Sequence, residues 1–393
     1  MKVLHVIPSV SRIRGGPSQA IFEMVKAIRK LGVEASIVTT NDNGVFLLEG
    51  VPLNKKILYE GVPTRFFSRF SPNISALREF TFSSGLTKWL WHHVEEYDLL
   101  HVHALFSYPS TAAMTIAEKR QVPYFVRPGG HLCRWALQQS RSKKQCYLKM
   151  IAARNIKKSS GIHFTTVQED EEAKSLNISS NSFVLPHGIC FSTAVDSARE
   201  RLRQRLDLPK DEIIILFMSR LHPKKGLEYL ISALGRLLNR KFTLVIAGSG
   251  DPEYEFSIKS LLTEHRLDKR SYFLGFVEGQ EKNVLLHGSD LFALTSHSEN
   301  FGVVVLEALS AGVPVLVTPG GALSEVVSEQ KIGYVPELTV NSIKKALSDF
   351  LDNPAAAREK GVRGQKVVEE KYSWDTIAAR LVEHYRAACS SVS

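Results

Sequence analysis

One pattern constrains this chain more than any other, and it occurs twice. A short apolar strand leads through a glycine-containing loop into an amphipathic helix and then a second apolar strand. The first copy runs from Val3–Ile7 through the loop SRIRGGPSQA, then a helix from about Pro17 to Leu31, into the strand VEASIVTT. Proline near the helix start and Gly32 after its end are the expected start and stop signals. The second copy begins at EIIILFMSR, passes through LHPKKG into the helix LEYLISALGRLLNR and returns as FTLVIAGSG. Each copy is a βαβ unit, which joins parallel strands. Farther on, SYFLGFV, LFALTS and PVLVT read as strands, QEKNVLLHGS as a helix, and the chain from about Val340 onward as helical. Alternating strands and helices predict an α/β fold with two doubly wound parallel sheets. A length of 393 residues suits two domains. The break falls near FVLPHGICF, Phe183 to Phe191, where Pro186 and Gly188 interrupt the pattern.

Composition excludes several classes. The amino terminus MKVLHVIPS is too short an apolar run for a signal peptide, and the apolar-rich stretch Phe301–Leu323 is broken by Glu307, Pro314 and glycines, against a membrane span. The expected location is cytoplasmic. Cys133, Cys146, Cys190 and Cys389 lie far apart without zinc spacing, so free thiols are expected. The formal charge is +10, and Lys119–Gln168 contains eleven Lys and Arg with no Asp or Glu, so the basicity is local. Such a stretch is either a solvated face or the docking surface of an anionic partner, such as a membrane at the inner face of the plasma membrane or a phosphorylated acceptor. The segment RWALQQSRSKKQCYLKMIAARNIKK mixes apolar residues and cations as a surface-lying helix would. No aromatic or groove-reading motif accompanies the charge, against nucleic-acid binding. The acidic run Glu169–Glu172 reads as a solvated helix start.

Ligands of open α/β sheets bind at the carboxyl ends of the strands, where loops feed helix N-termini. In SRLHPKKG, Arg220, Lys224 and Lys225 follow a strand directly, a placement suited to a diphosphate. The loop at Gly15, Gly16 and Pro17 lets a backbone approach phosphate with a helix behind it. The loop AGSG is open to the same reading. The stretch SENFGVVVLEALSAG keeps two acids, Glu299 and Glu307, in apolar surroundings, and a buried carboxylate needs a partner. A helix from about Asn300–Gly302 to Gly312 is expected, with a strand possible over Gly302–Leu306 because valines are poor helix formers. Either a ribose diol or an internal salt bridge would satisfy Glu307.

Taken together, the two glutamates followed by FG, the SRLHPKKG loop, the GGP loop and the terminal YSWDTIAARLVEHY resemble the retaining GT-B glycosyltransferases of family four. The resemblance implies two Rossmann-like domains facing an interdomain cleft. Residues 1–188 would form the acceptor-side domain and 189–373 the nucleotide-sugar domain, with a last helix of about 374–393 returning to the first. It implies transfer from a nucleotide sugar to a glycan or lipid-linked acceptor, with no cofactor. By the same resemblance, Glu307 holds the ribose, Glu299 orients the sugar, Arg220 and Lys225 hold the diphosphate, and His131 in RPGGHL lies near the reacting sugar. The donor set is completed by Gly15, Gly16, Asn300 and the backbone amides of Phe301, Gly302 and Val303. The junction reads His187-Gly188-Ile189-Cys190 where the family has Asn-Gly-hydrophobic-Asp. No Asp-x-Asp motif is present, so no metal is expected. A nucleotide-sugar epimerase would use a similar donor pocket.

Overall fold

The computed structural model describes residues 1–14, 16–138, 141–176 and 180–390. The chain divides into two compact units, one of Met1–Gly188 with the chain from Trp374 onward, the other of Ile189–Ser373.

The first unit carries strands β1 (Lys2–Val6), β2 (Glu34–Thr40), β3 (Asp42–Asn43), β4 (Phe46–Leu47), β5 (Lys56–Tyr59), β6 (Val62–Phe67), β7 (Leu99–His103), β8 (Tyr124–Arg127), β9 (Gly161–Phe164) and β10 (Ser182–Val184). Eight of them form one sheet in the order β10-β9-β8-β7-β1-β2-β6-β5, while β3 and β4 make a separate hairpin. Every pairing in the large sheet is parallel except β5 with β6. Parallel strands covered on both faces are apolar throughout, and β1, β2, β7, β8 and β9 are buried almost end to end. The helix Gly16–Lys30 packs on this sheet beside the last helix, Trp374–Ser390. From the last helix, Trp374, Ile377, Leu381 and Tyr385 enter the core. Gly188 is required there, because a Cβ would stand 2.4 Å from the Trp374 ring.

The second unit contains β11 (Ile214–Met218), β12 (Thr243–Ala247), β13 (Ser271–Gly275), β14 (Leu291–Leu294), β15 (Val315–Val317) and β16 (Gly333–Tyr334). Their order, β13-β12-β11-β14-β15-β16, is all parallel and reverses direction between β11 and β14. That reversal is the topological switch point of a Rossmann-like sheet.

One helix is shorter than expected, and another forms as expected where a strand was the alternative. The helix after β11 spans Leu227–Leu234 rather than reaching Arg240, and it stops at Gly235. A Cβ at Gly235 would meet the His265 ring at 2.7 Å, so the close packing that needs glycine also ends the helix. Residues Val303–Ser310 are helical despite three valines, because the buried face of Val305, Leu306 and Leu309 outweighs the propensity. Among the described residues no helix is long and apolar enough to cross a membrane.

Candidate active site

In the second unit the loops at the carboxyl ends of β11, β12, β14 and β15 are laced together by their backbones. Ser219 and Leu221 amides donate to the carbonyls of Ala247 and Ser249, at 3.0 and 2.9 Å. The glycines of AGSG serve this lacing: a Cβ on Gly248 or Gly250 would collide with the Ser219 or Leu221 carbonyl oxygen, at 1.9 and 2.1 Å. His297 donates to the Lys224 carbonyl at 2.9 Å and Glu299 to that of Gly320 at 2.8 Å. HPKKG is a single 3-10 turn, Pro223–Lys225, closed by the His222 ring accepting from the Lys224 amide. Gly226 follows in the left-handed region at φ 61° and lies against the Thr295 carbonyl, whose side chain donates back to Gly226.

This lacing brings the predicted residues of the second unit to one edge of its sheet. Lys225 forms an ion pair with Glu299 across 74 residues of sequence. Arg220 is exposed one residue beyond Ser219. Gly302 adopts φ 76° at the start of the helix Val303–Ser310, and a Cβ there would press on Glu299 at 3.1 Å. The Val305 amide donates to the Gly302 carbonyl at 2.8 Å, and the amides that open such a helix before it have no intrahelical acceptor. Glu307 lies one turn farther in, with Lys282 Nζ 2.6 Å from Oε1. Both acids of the apolar stretch therefore have lysine partners, and the internal salt bridge is the arrangement observed for Glu307.

In the first unit the residues of interest sit at the carboxyl ends of β7, β8 and β9. Gly129 and Gly130, at φ 62° and 86°, turn the chain after β8 so that His131 reaches back to β7. The Leu105 amide donates to His131 Nδ1 at 3.1 Å, which leaves the proton of the neutral ring on Nε2. Burial, assisted by the Lys144 ammonium, pushes this histidine down to about 4, so it is neutral at pH 7. Phe106 stacks on the ring, 5.7 Å between centroids. Gly16 opens the helix Gly16–Lys30, and Gly15 lies outside the described residues.

The acidic run begins a helix, Val167–Lys174, yet Glu169 and Asp170 are buried rather than solvated. Glu169 accepts from the Gly130 amide at 2.5 Å and from the Thr165 amide and hydroxyl, both at 2.9 Å. It thereby fixes the loop that carries His131. Sequence reading missed this residue because an acid in the first turn of a helix ordinarily faces water. His187 is buried against Arg127, whose Nη2 lies 2.8 Å from its Nδ1. The basic segment is not one surface helix: Leu148, Asn155 and Ile156 are buried, Tyr147 donates to the Leu105 carbonyl, and Met150 and Ile151 are exposed. The side chains of Arg134, Trp135, Arg141, Lys143 and Lys149 lie outside the described residues.

A ladder of buried histidines crosses the first sheet beside this edge. His163 Nε2 donates to the Leu185 carbonyl at 2.8 Å, so its Nδ1 accepts from His101 Nε2, and His101 Nδ1 accepts from the Tyr385 hydroxyl at 2.6 Å. Ring nitrogens of His5, His101 and His103 lie within 4.8 Å of one another. Both nitrogens of His101 are already engaged and the Arg127 guanidinium stands in the same core, an arrangement that repels a cation rather than holding one.

Two parallel Rossmann-like sheets, each with its polar loops at the carboxyl edge, define a GT-B protein. The family model for a glycosyl transferase 4-like domain matches residues 15–188, and that for glycosyl transferases group 1 matches 198–367. The chain belongs to the GT-B glycosyltransferases of group 1. It is 37% identical over 194 residues to an uncharacterised glycosyltransferase of Methanocaldococcus jannaschii, covering 47% of this chain and 48% of the relative. It is 30% identical over 209 residues to a GDP-mannose-dependent phosphatidylinositol monomannoside mannosyltransferase of Corynebacterium glutamicum, 50% and 54% covered. The chain thus spans about half the length of the curated relatives it matches. Among solved structures, sucrose-phosphate synthase of Thermosynechococcus elongatus superposes with a TM-score of 0.79 at 19% identity, covering 99% of both chains. Anabaena HepE in complex with UDP and glucose gives 0.76 at 20% identity, covering 98% of this chain and 100% of the other.

Proposed function

We propose that this protein transfers a hexose-type sugar from a nucleotide sugar to a hydroxyl of a glycan or lipid-linked acceptor, with retention of anomeric configuration and without a metal. The observation that carries the reading is the laced edge of the second unit. It holds Arg220, Lys225 and the first turn of Val303–Ser310 together in a chain of this family. Negative charge develops on the nucleoside diphosphate as the sugar departs, and prearranged cations with helix N-terminal amides stabilise it there. Glu299, held by Lys225, orients the sugar, and Glu307 receives the ribose diol through the oxygen that Lys282 leaves open. His131, neutral with its proton on Nε2, donates a hydrogen bond to a sugar hydroxyl. The acceptor hydroxyl attacks from the face the diphosphate leaves.

A UDP-sugar is the favoured donor, since HepE is described with UDP and glucose, and the GDP-mannose-dependent relative makes a GDP-sugar the second choice. An epimerase is disfavoured because the relatives named above are transferases. A thermal-shift screen of nucleoside diphosphates and nucleotide sugars, followed by product analysis with radiolabelled donor, tests the reading. Label in a larger glycan or lipid supports it, whereas an isomerised donor or no nucleotide binding refutes it.

A further inference from the structure

On the outside of the first unit, two helices leave a groove between them. The helix Ser84–His93 offers Ser84, Thr87, Lys88 and Trp91 at the i, i+3, i+4, i+7 spacing of one face. The helix Tyr108–Lys119 faces it with Tyr108 at one end and Lys119 at the other. The cavity they line measures about 460 Å³. Seven helical steps lead from Ser84 to Trp91, so the groove is roughly 10 Å long.

Its chemistry is specific. Trp91 is 41% exposed, yet it is held in place. The Arg120 guanidinium lies 4.3 Å from the ring centroid, and Arg120 Nη2 donates to the Trp91 carbonyl at 3.2 Å. At the other end, Thr87 and Tyr108 join hydroxyls at 2.8 Å. No carboxylate lines the cavity. The acids nearby are already spent on arginines, Glu95 on Arg120 at 3.3 Å and Glu118 on Arg154 at 3.2 Å. Among the described residues Lys88 and Lys119 form no ion pair, and both are exposed. A preset aromatic ring, paired hydroxyls and two uncompensated ammonium groups form one strip. The ring suits the C–H face of a sugar, the hydroxyls suit its polar edge, and the lysines suit anionic substituents. Lys119 and Arg120 also open the acid-free run 119–168, so this groove gives part of that charge an anionic partner.

We propose that the groove binds an anionic carbohydrate chain, with a sugar ring stacked on Trp91 and carboxylate or phosphate substituents paired with Lys88 and Lys119. Tyr108 opens its helix directly after the β7 carboxyl-end loop, but Lys119 lies at the far end of that helix, away from the loop, and the test of the groove does not depend on transferase activity. Calorimetric titration of the full chain with an oligogalacturonate hexamer is the direct measurement, with maltohexaose as neutral control and phosphatidylglycerol vesicles as a second anion. Binding of the hexamer that weakens as salt rises is expected, with little response to maltohexaose. Trp91→Ala, and separately the double variant Lys88→Gln with Lys119→Gln, should each weaken the hexamer by roughly tenfold or more. Nucleotide affinity should stay unchanged, as a check that the variants are folded. If Trp91→Ala fails to fold, the lysine variant alone decides. The proposal is overturned if the hexamer does not bind, if it binds no better than maltohexaose, or if the lysine variant binds it like wild type. Vesicle binding without hexamer binding would assign the groove to a membrane surface and overturn it equally.

Discussion

Acidification should unfold the first unit selectively. His5, His101, His103 and His163 are buried and neutral, held down first by loss of solvation and then by neighbouring positive charge, His5 to about 3. In the unfolded chain each would protonate near pH 6.5. Between these limits the unfolded state binds more protons than the folded one. The stabilisation these neutral rings provide is therefore intact above pH 6.5 and is lost as the pH falls below it. Lowering the pH from 7.5 to 5.5 carries the unfolded rings through their titration and removes about 1 kcal/mol per histidine, several kcal/mol for the four together and a large share of a domain's usual stability. Glu169, raised by burial, works in the opposite direction, since the folded state takes up its proton before the unfolded chain does. The second unit is an internal control, since among the described residues the fully buried histidines belong to the first, while His222 and His287 of the second, also held down, are only partly buried. Native-state hydrogen exchange at the two pH values, corrected for the intrinsic rate, reads both units in one sample. Protection in β1, β7 and β9 should fall by several kcal/mol while β11 and β12 change little. Equal loss in both sheets, or none in either, would mean that the ladder is hydrated or protonated in the native protein.

Three further outcomes are expected. Glu307→Ala should weaken the cognate nucleoside diphosphate by about 1–3 kcal/mol in calorimetry, the cost of losing a hydrogen bond to a charged group, and unchanged affinity would leave Glu307 with its Lys282 salt bridge alone. Arg220→Ala and Lys225→Ala should each lower turnover more than they lower the melting temperature, and activity should survive EDTA; activity lost to chelation and restored by magnesium contradicts the metal-free reading. Glu169→Ala removes the acceptor of the Gly130 amide and should lower kcat with little change in donor affinity, while the His131 imidazole NMR signals shift as its loop loosens. Unaltered His131 signals in a folded Glu169→Ala protein would reduce that residue to a helix cap.

Much of the architecture was legible because local chemistry writes it. Strand runs such as EASIVTT and TLVIA, a proline at a helix start and a glycine past its end act within a few residues of themselves. The placement of the loops after the strands on one edge was legible for the same reason, since a parallel sheet presents its carboxyl-end loops there. The shortened helix at Gly235 was not legible, because the ring that demands a glycine there belongs to His265, thirty residues on.

The sequence by itself determined which residue types stand at the strand ends: Arg220 and Lys225 after one strand, Glu299 before a helix, His131 after a double glycine. Only the tertiary structure decided their partners. Lys225 meets Glu299 because β11 and β14 are neighbours at the switch point, and Lys282 meets Glu307 because two helices pack. Glu169 turned inward to the His131 loop, and four histidines from β1, β7 and β9 joined a tyrosine of the last helix. Periodicity reports which side of an element is apolar, but pairing energy depends on distance. In a sheet whose neighbours are far apart in sequence, strand order sets that distance.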